Sequence, residues 1–246
     1  MKQLENKVAI VTGSGSGIGR AVALSYAKEG AKVVVSDIDE NGGETTVEMI
    51  RKISGEAIFI RADTSSPTDN ESLVKNTIEK YGALHIACNN AGIGGASAPV
   101  GEYTIEGWDK VISINLSGVF YGMHFQIPEM IKAGGGVIVN MASILGMVGL
   151  RNAPAYVAAK HGVVGLTKNA ALEYSTQNIR INSVGPAFIK TPLIKDIDEK
   201  HLISLHPVGR LGLPEEVAEL VLFLCTDKAS FITGSYFPID GGYLAQ

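Results

Sequence analysis

The chain has 246 residues, 46% of them apolar and 19% charged, with a net charge of −4 and an isoelectric point near 5.8. This is the composition of a globular chain long enough to bury its own core, and it excludes a disordered one. The acidic balance excludes a nucleic-acid footprint, and no Lys/Arg run marks a membrane-surface segment.

The opening "MKQLENKVAIVTG" carries charges where a signal peptide needs an apolar core. No apolar run reaches the ~18 residues of a membrane span. A cytoplasmic protein with no membrane partner is expected. The two cysteines, Cys88 and Cys225, allow one disulfide, but two buried thiols in a reducing compartment are the better reading.

In chain order, "KVAIVT" (7–12) is the first predicted strand, and a helix follows over 17–29 with Ile18, Ala21, Val22 and Tyr26 on one face. Further strands are predicted at 32–37, 56–62, 84–90, 136–143, 179–184 and 236–240. Further helices are predicted at 40–53, 67–81, 102–132, 153–175 and 214–226; the last opens on Pro and two acids, a sound helix start. The strands are continuous apolar runs rather than strict alternations, the pattern of a parallel sheet covered on both faces. The alternation never pauses, so one doubly wound α/β domain over 1–246 is expected. The least patterned stretch, about 186–212, reads as a mobile substrate loop.

Between the first strand and the first helix lies "TGSGSGIG" (12–19), with glycine at every second position. No frame of it fits G-x-G-x-x-G. The spacing that fits is Gly13-x-x-x-Gly17-x-Gly19, with Gly15 read as incidental. Glycines at a strand–helix junction let main-chain N–H groups approach a phosphate at a helix N-terminus. Asp37 ends the second strand, 18 residues after Gly19. A carboxylate there accepts from both adenosine ribose hydroxyls and repels a 2′-phosphate. Ser14 and Ile38, the neighbours that would meet that phosphate, carry no positive charge. NAD is therefore expected over NADP.

"AYVAAK" places Tyr156 and Lys160 at i and i+4 on one helix face. An ammonium beside a phenol lowers its pKa, as a Tyr needs in order to trade a proton with an alcohol near neutral pH. "NMAS" ends the preceding strand with Ser143, whose hydroxyl reaches the sheet edge that carries the glycine turn. Asn115 is a poor helix former inside a long predicted helix, and a polar break there extends a water relay to Lys160. The histidines at 85, 124, 161, 201 and 206 form no triad or ligand spacing, so no metal site and no hydrolase is expected.

Taken together, Thr12-Gly-x-x-x-Gly-x-Gly19, Asn89-Asn-Ala-Gly92, Asn115, Ser143, Tyr156-x-x-x-Lys160 and "VGPAFIKT" (184–191) resemble the short-chain dehydrogenases/reductases in their compact form of about 250 residues. The likeness spans essentially the whole chain and is strongest to bacterial NADH-dependent ketoreductases and secondary-alcohol dehydrogenases. It implies a Rossmann-type fold with a seven-stranded parallel sheet and helices on both faces. It implies an NAD(H)-dependent oxidoreductase that interconverts a ketone and a secondary alcohol. Tyr156 is then the general acid/base, Lys160 its pKa partner and ribose anchor, Ser143 the holder of the carbonyl, and Asn115 the anchor of the relay water. Coenzyme contacts are implied at Gly13, Ser16, Gly17, Ile18, Gly19, Asp37, Ile38, Asp63, Thr64, Asn90, Ala91, Gly92, Tyr156, Lys160, Pro186, Ile189 and Thr191. The family is usually tetrameric, and a homotetramer is expected. The helix "NLSGVFYGMHFQIPEMI" (115–131) is apolar on more than one side, which fits either a buried helix or a subunit interface.

The chain departs from the family pattern at one place. Pro186-Ala187 stands where Pro-Gly is usual, with a glycine shifted to Gly185, so the loop is expected to bend two residues earlier. Leu145, Met147, Val148, Phe188 and Leu193, with Ile144 and Ile194, are the expected substrate wall. They are apolar and suit a ketone with hydrophobic substituents better than a sugar. A 3-oxoacyl carrier-protein reductase is the alternative, with Arg151, Lys190 and Lys195 as a basic patch for the carrier. A non-catalytic dinucleotide sensor is a more distant one.

Overall fold

The computed structural model describes residues 2–246; of the expected domain only Met1 lies outside it. Seven strands form one parallel sheet: β1 (Val8–Thr12), β2 (Lys32–Asp37), β3 (Glu56–Arg61), β4 (Ile86–Asn89), β5 (Gly136–Met141), β6 (Ile179–Pro186) and β7 (Tyr236–Ile239). Their order is β3-β2-β1-β4-β5-β6-β7. The order reverses between β1 and β4, and that switch point opens a crevice at the carboxyl ends of the strands. This is the Rossmann-type fold expected from the alternating pattern.

Eight helices connect the strands: α1 (Gly17–Lys28), α2 (Glu40–Lys52), α3 (Pro67–Tyr81), α4 (Ile105–Ile112), α5 (Gly118–Lys132), α6 (Pro154–Tyr174), α7 (Glu199–Ser204) and α8 (Pro214–Cys225). Successive strand residues face opposite layers. Ala9 and Val11 of β1 pack into one core with Val22 and Tyr26 of α1 and Val217 and Val221 of α8. Ile10 joins the other core, with Leu73 of α3, Val119 and Met123 of α5 and Val163 of α6. Both faces of β1 are therefore buried, which is why the run is apolar without a break. Cys88 and Cys225 are buried free thiols, as read. Among the described residues no helix is long and apolar enough to cross a membrane.

The strands predicted at 84–90 and 136–143 are shorter, Ile86–Asn89 and Gly136–Met141, so Ser143 lies two residues past β5; three further elements differ. The helix expected over 102–132 is two helices, α4 and α5, joined by one π-helical turn at Ser113–Ser117. Asn115 makes the break: its side chain binds main chain outside the helix. β6 runs to Pro186, beyond the expected 184. The stretch 186–212 is not patternless. It holds the turn Pro192–Ile194 and α7, and Ile189 bridges to Gly212.

Candidate active site

The glycine turn is shaped by backbone that other residues rarely adopt: Gly13 has φ +63° and Gly17 φ +51°. α1 starts at Gly17, so its first N–H groups point into the crevice. Thr12 ties this turn to the end of β4. Its Oγ1 accepts from the N–H groups of Asn90 (3.0 Å) and Ala91 (3.2 Å). The Asn90 side chain answers by donating to the carbonyls of Thr12 (2.9 Å) and Gly13 (3.1 Å).

Gly15 is not incidental. Its N–H donates to Asp37 Oδ2 at 2.8 Å, and a Cβ there would stand 2.9 Å from the same oxygen. Asp37 Oδ1 accepts from the Asp39 N–H at 3.0 Å. Both carboxylate oxygens are thus fixed by main chain. Arg20, which carried no signal in the sequence, braces this floor from behind. Its Nε donates to Thr46 Oγ1 (3.0 Å), and its Nη2 donates to the carbonyls of Gly15 and Gly42. Ser14 does not face the crevice, contrary to expectation. It is fully buried, donates to the Val11 carbonyl (2.7 Å) and accepts from the Ser36 N–H (3.0 Å), a clasp between β1 and β2.

Ser143 follows β5 in extended backbone and caps a short turn, its Oγ accepting from the Leu145 N–H at 3.2 Å. Tyr156 and Lys160 come from the first turns of α6, which opens on Pro154. Desolvation raises the Tyr156 pKa, and a hydrogen bond with Ser143 lowers it. The lowering expected from Lys160 is not part of that balance. Lys160 is buried, donates to the Met141 carbonyl at 2.7 Å, and holds its Nζ 5.5 Å from the centre of the Tyr156 ring. Desolvation brings its own pKa down to about 8. Asn115 is fully buried, and its amide forms a two-way pair with Ile93: Oδ1 accepts from the N–H and Nδ2 donates to the carbonyl, each at 2.8 Å. The Asn115 side chain does not line the crevice.

The crevice is a cleft of about 460 Å³. It is lined by Gly13, Ser16, Gly17, Ile18, Gly19, Asp37, Ile38, Asp63, Thr64, Asn90, Ala91, Gly92, Ser143, Tyr156, Lys160, Pro186, Ile189, Thr191 and Leu193. Every residue singled out for the coenzyme is therefore on one wall system. Of the expected substrate wall, Leu193 and Ile194 line the cleft, while Ile144, Leu145, Met147, Val148 and Phe188 do not. Leu145 is buried, and Met147 and Val148 are exposed. Phe188 turns to His206 and Tyr243, at ring-centre distances of 5.8 and 6.2 Å, and lines a second cavity of about 120 Å³. Ala62, Ile93, Ile114, Met141, Ala142, Ala187 and Pro192 complete the cleft. As small or apolar wall residues they have no chemistry for a sequence pattern to flag. The bend expected at Gly185 is absent: β6 continues through it, Gly185 does not adopt positive φ, and the Ala187 N–H donates to the Ile239 carbonyl at 3.2 Å.

A family model described as enoyl-(acyl carrier protein) reductase matches residues 13–244. Cyclohexanol dehydrogenase of Acinetobacter sp. strain SE19 is 51% identical over 244 residues, covering 99% of this chain and 97% of that one. A 3-oxoacyl-(acyl-carrier-protein) reductase of Thermotoga maritima is 39% identical over 243 residues, covering 98% of each. Among solved structures, levodione reductase superposes with a TM-score of 0.95 at 38% identity, covering 98% of this chain and 99% of that one.

Proposed function

The chain belongs to the short-chain dehydrogenase/reductase family and is an oxidoreductase acting on CH–OH groups; from that premise we propose that it interconverts a small alicyclic ketone and its secondary alcohol with NAD(H). One observation carries the reading: Ser143, Tyr156 and Lys160 stand on one cleft whose other end is closed by the Asp37 carboxylate.

The site fits a dinucleotide. The cradle of Gly13 and Gly17 leaves main-chain N–H groups free to hold a pyrophosphate at the start of α1. Asp37 is held ready to accept from ribose hydroxyls, and among the described residues Lys160 is the only basic side chain lining the cleft. A 2′-phosphate at Asp37 would meet a carboxylate and no cation, which favours NAD over NADP. Bound NAD(H) supplies or takes up the hydride.

The chain's own residues handle the oxygen and its proton. Ser143 Oγ holds the substrate oxygen beside Tyr156. In reduction the Tyr156 hydroxyl gives its proton to that oxygen, and in oxidation the phenolate takes it back. The buried Lys160 ammonium stabilises the phenolate when it forms, an interaction strengthened by the low local dielectric. Asn115, with its amide committed to Ile93, holds the π-helical turn and offers a relay water only its main chain.

The cyclohexanol of the 51% identical relative is a six-membered carbocyclic alcohol, and the apolar Leu193, Ile194 and Ile93 suit such a ring. A carrier-protein substrate is disfavoured. Lys190 pairs with Glu199 at 3.8 Å, and residues 190–200 carry three bases and three acids. Phe120, exposed on α5, and Phe231, fully exposed ahead of β7, fit the two interfaces of a homotetramer. The test is turnover of cyclohexanol, linear secondary alcohols and a 3-oxoacyl carrier protein with both coenzymes. The expected result is the highest kcat/KM for cyclohexanol with NAD⁺. A preference for NADPH, or turnover of the acyl carrier alone, would overturn the proposal.

A further inference from the structure

Tyr236 of β7 stands opposite Ser183 of β6 in the parallel register, yet its hydroxyl donates to the carbonyl of Ser143, beyond the end of β5, at 3.0 Å. The ring must cross β6 to get there. It does so over Gly185, two residues on from Ser183 and on the same face of the strand. A methyl group on residue 185 would overlap the Tyr236 ring and its hydroxyl. The glycine therefore marks a gap in β6. It stands in extended backbone where no turn requires it, and the passage of Tyr236 is its physical reason.

The same Ser143 carbonyl also accepts from the Gly146 N–H at 2.9 Å, so both of its lone pairs are used. With Leu145 N–H on Oγ, Ser143 has three anchors besides its contact with Tyr156. Two come from the short turn that Ser143 itself begins. Among the described residues Tyr236 is the one side chain that ties Ser143 itself to another strand, while its neighbour Ala142 donates to the Val184 carbonyl of β6 at 2.8 Å.

We propose that Tyr236, passing through the gap at Gly185, is a positioning residue that holds Ser143 in register with Tyr156 and the substrate oxygen. It touches no reacting atom and acts through the main chain of Ser143. The inference rests on the reading of Ser143 and Tyr156 as the proton-transfer pair. A hydroxyl that loses one of three anchors spends less time in the productive geometry, and small misplacements are costly in such sites.

The test is a mutant cycle read by kcat, pH profile, NADH affinity and thermal stability. Tyr236→Phe is expected to lower kcat roughly five- to tenfold, the worth of one neutral hydrogen bond. NADH affinity should be unchanged and the melting temperature should fall by only a few degrees, and the alkaline rise of alcohol oxidation should move to higher pH, because the Ser143 bond lowers the Tyr156 pKa. Gly185→Ala should reproduce this by driving Tyr236 away, and should add nothing in a Tyr236→Ala background. A wild-type kcat and pH profile in Tyr236→Phe would overturn the proposal. So would a loss of melting temperature alone, or a Gly185→Ala cost that is the same with and without Tyr236. Ser143→Ala separates the two levels: an inactive Ser143→Ala with an unaffected Tyr236→Phe overturns only the role of Tyr236, whereas an active Ser143→Ala overturns the proton-transfer reading beneath it.

Discussion

The two ends of the cleft are made of different materials. At the β1–β2 end the polar groups of the floor are met by main chain: both Asp37 oxygens accept backbone N–H groups, and Arg20 is spent on carbonyls and Thr46. At the 192–194 end the wall is apolar, and Leu193 is 56% exposed. The first end is a mould whose polar groups are already paired with main chain. The second selects by size and dryness, and it tolerates change. Between them stand Ser143, Tyr156 and Lys160, where both ligands must meet.

Substitutions along the cleft should grade accordingly. The largest effect belongs to the junction: Tyr156→Phe should lower kcat roughly 10²- to 10⁴-fold while NADH titration gives wild-type affinity. At the mould, Asp37→Ala frees two N–H groups and removes the charge that faces a 2′-phosphate. The ratio of kcat/KM for NAD⁺ over NADP⁺ should fall roughly 10- to 100-fold, with kcat for the preferred coenzyme little changed. Gly15→Ala, which crowds the same carboxylate, should move the ratio the same way by a smaller amount.

The pH dependence sharpens the junction. Lys160 is an ammonium below its pKa of about 8 and neutral above it. In the proposed mechanism carbonyl reduction also needs protonated Tyr156, whose pKa is raised by burial, so Lys160 titrates first. Reduction should therefore be flat at low pH and fall as pH rises through about 8. Lys160→Arg should push that limb to higher pH. At the apolar end the effects should be smallest: Leu193→Ala should raise KM for the ketone roughly two- to fivefold and leave NADH affinity alone. A Leu193→Ala effect on coenzyme affinity larger than that of Asp37→Ala would erase the contrast between the two ends.

The same contrast explains what was legible in the sequence. A main-chain mould needs backbone that only glycine supplies, and a strand buried on both faces needs an unbroken apolar run, so the turn at 12–19 and the sheet could be read directly. Gly15 escaped because its partner lies 22 residues away, across a strand and a helix. Gly185 reads in the sequence as a bend that the fold does not make, because its reason lies on β7. Asn115 was marked as a break in a helix, but nothing in its neighbourhood pointed to Ile93. At the apolar end, hydrophobicity alone did not distinguish Leu193, on the cleft, from Phe188, which packs against His206 behind it. Short-range backbone demands are written locally, whereas packing partners are set by the finished fold.

The central claim is that this cleft passes hydride from a nicotinamide coenzyme to the carbon of a small cyclic ketone. Reduction of cyclohexanone with NADH carrying deuterium on the transferred position tests it directly. The expected product is cyclohexanol with deuterium on the carbinol carbon, formed at a rate that Tyr156→Phe lowers roughly 10²- to 10⁴-fold. Cyclohexanol without deuterium, or deuterated product at the wild-type rate from Tyr156→Phe, would contradict it.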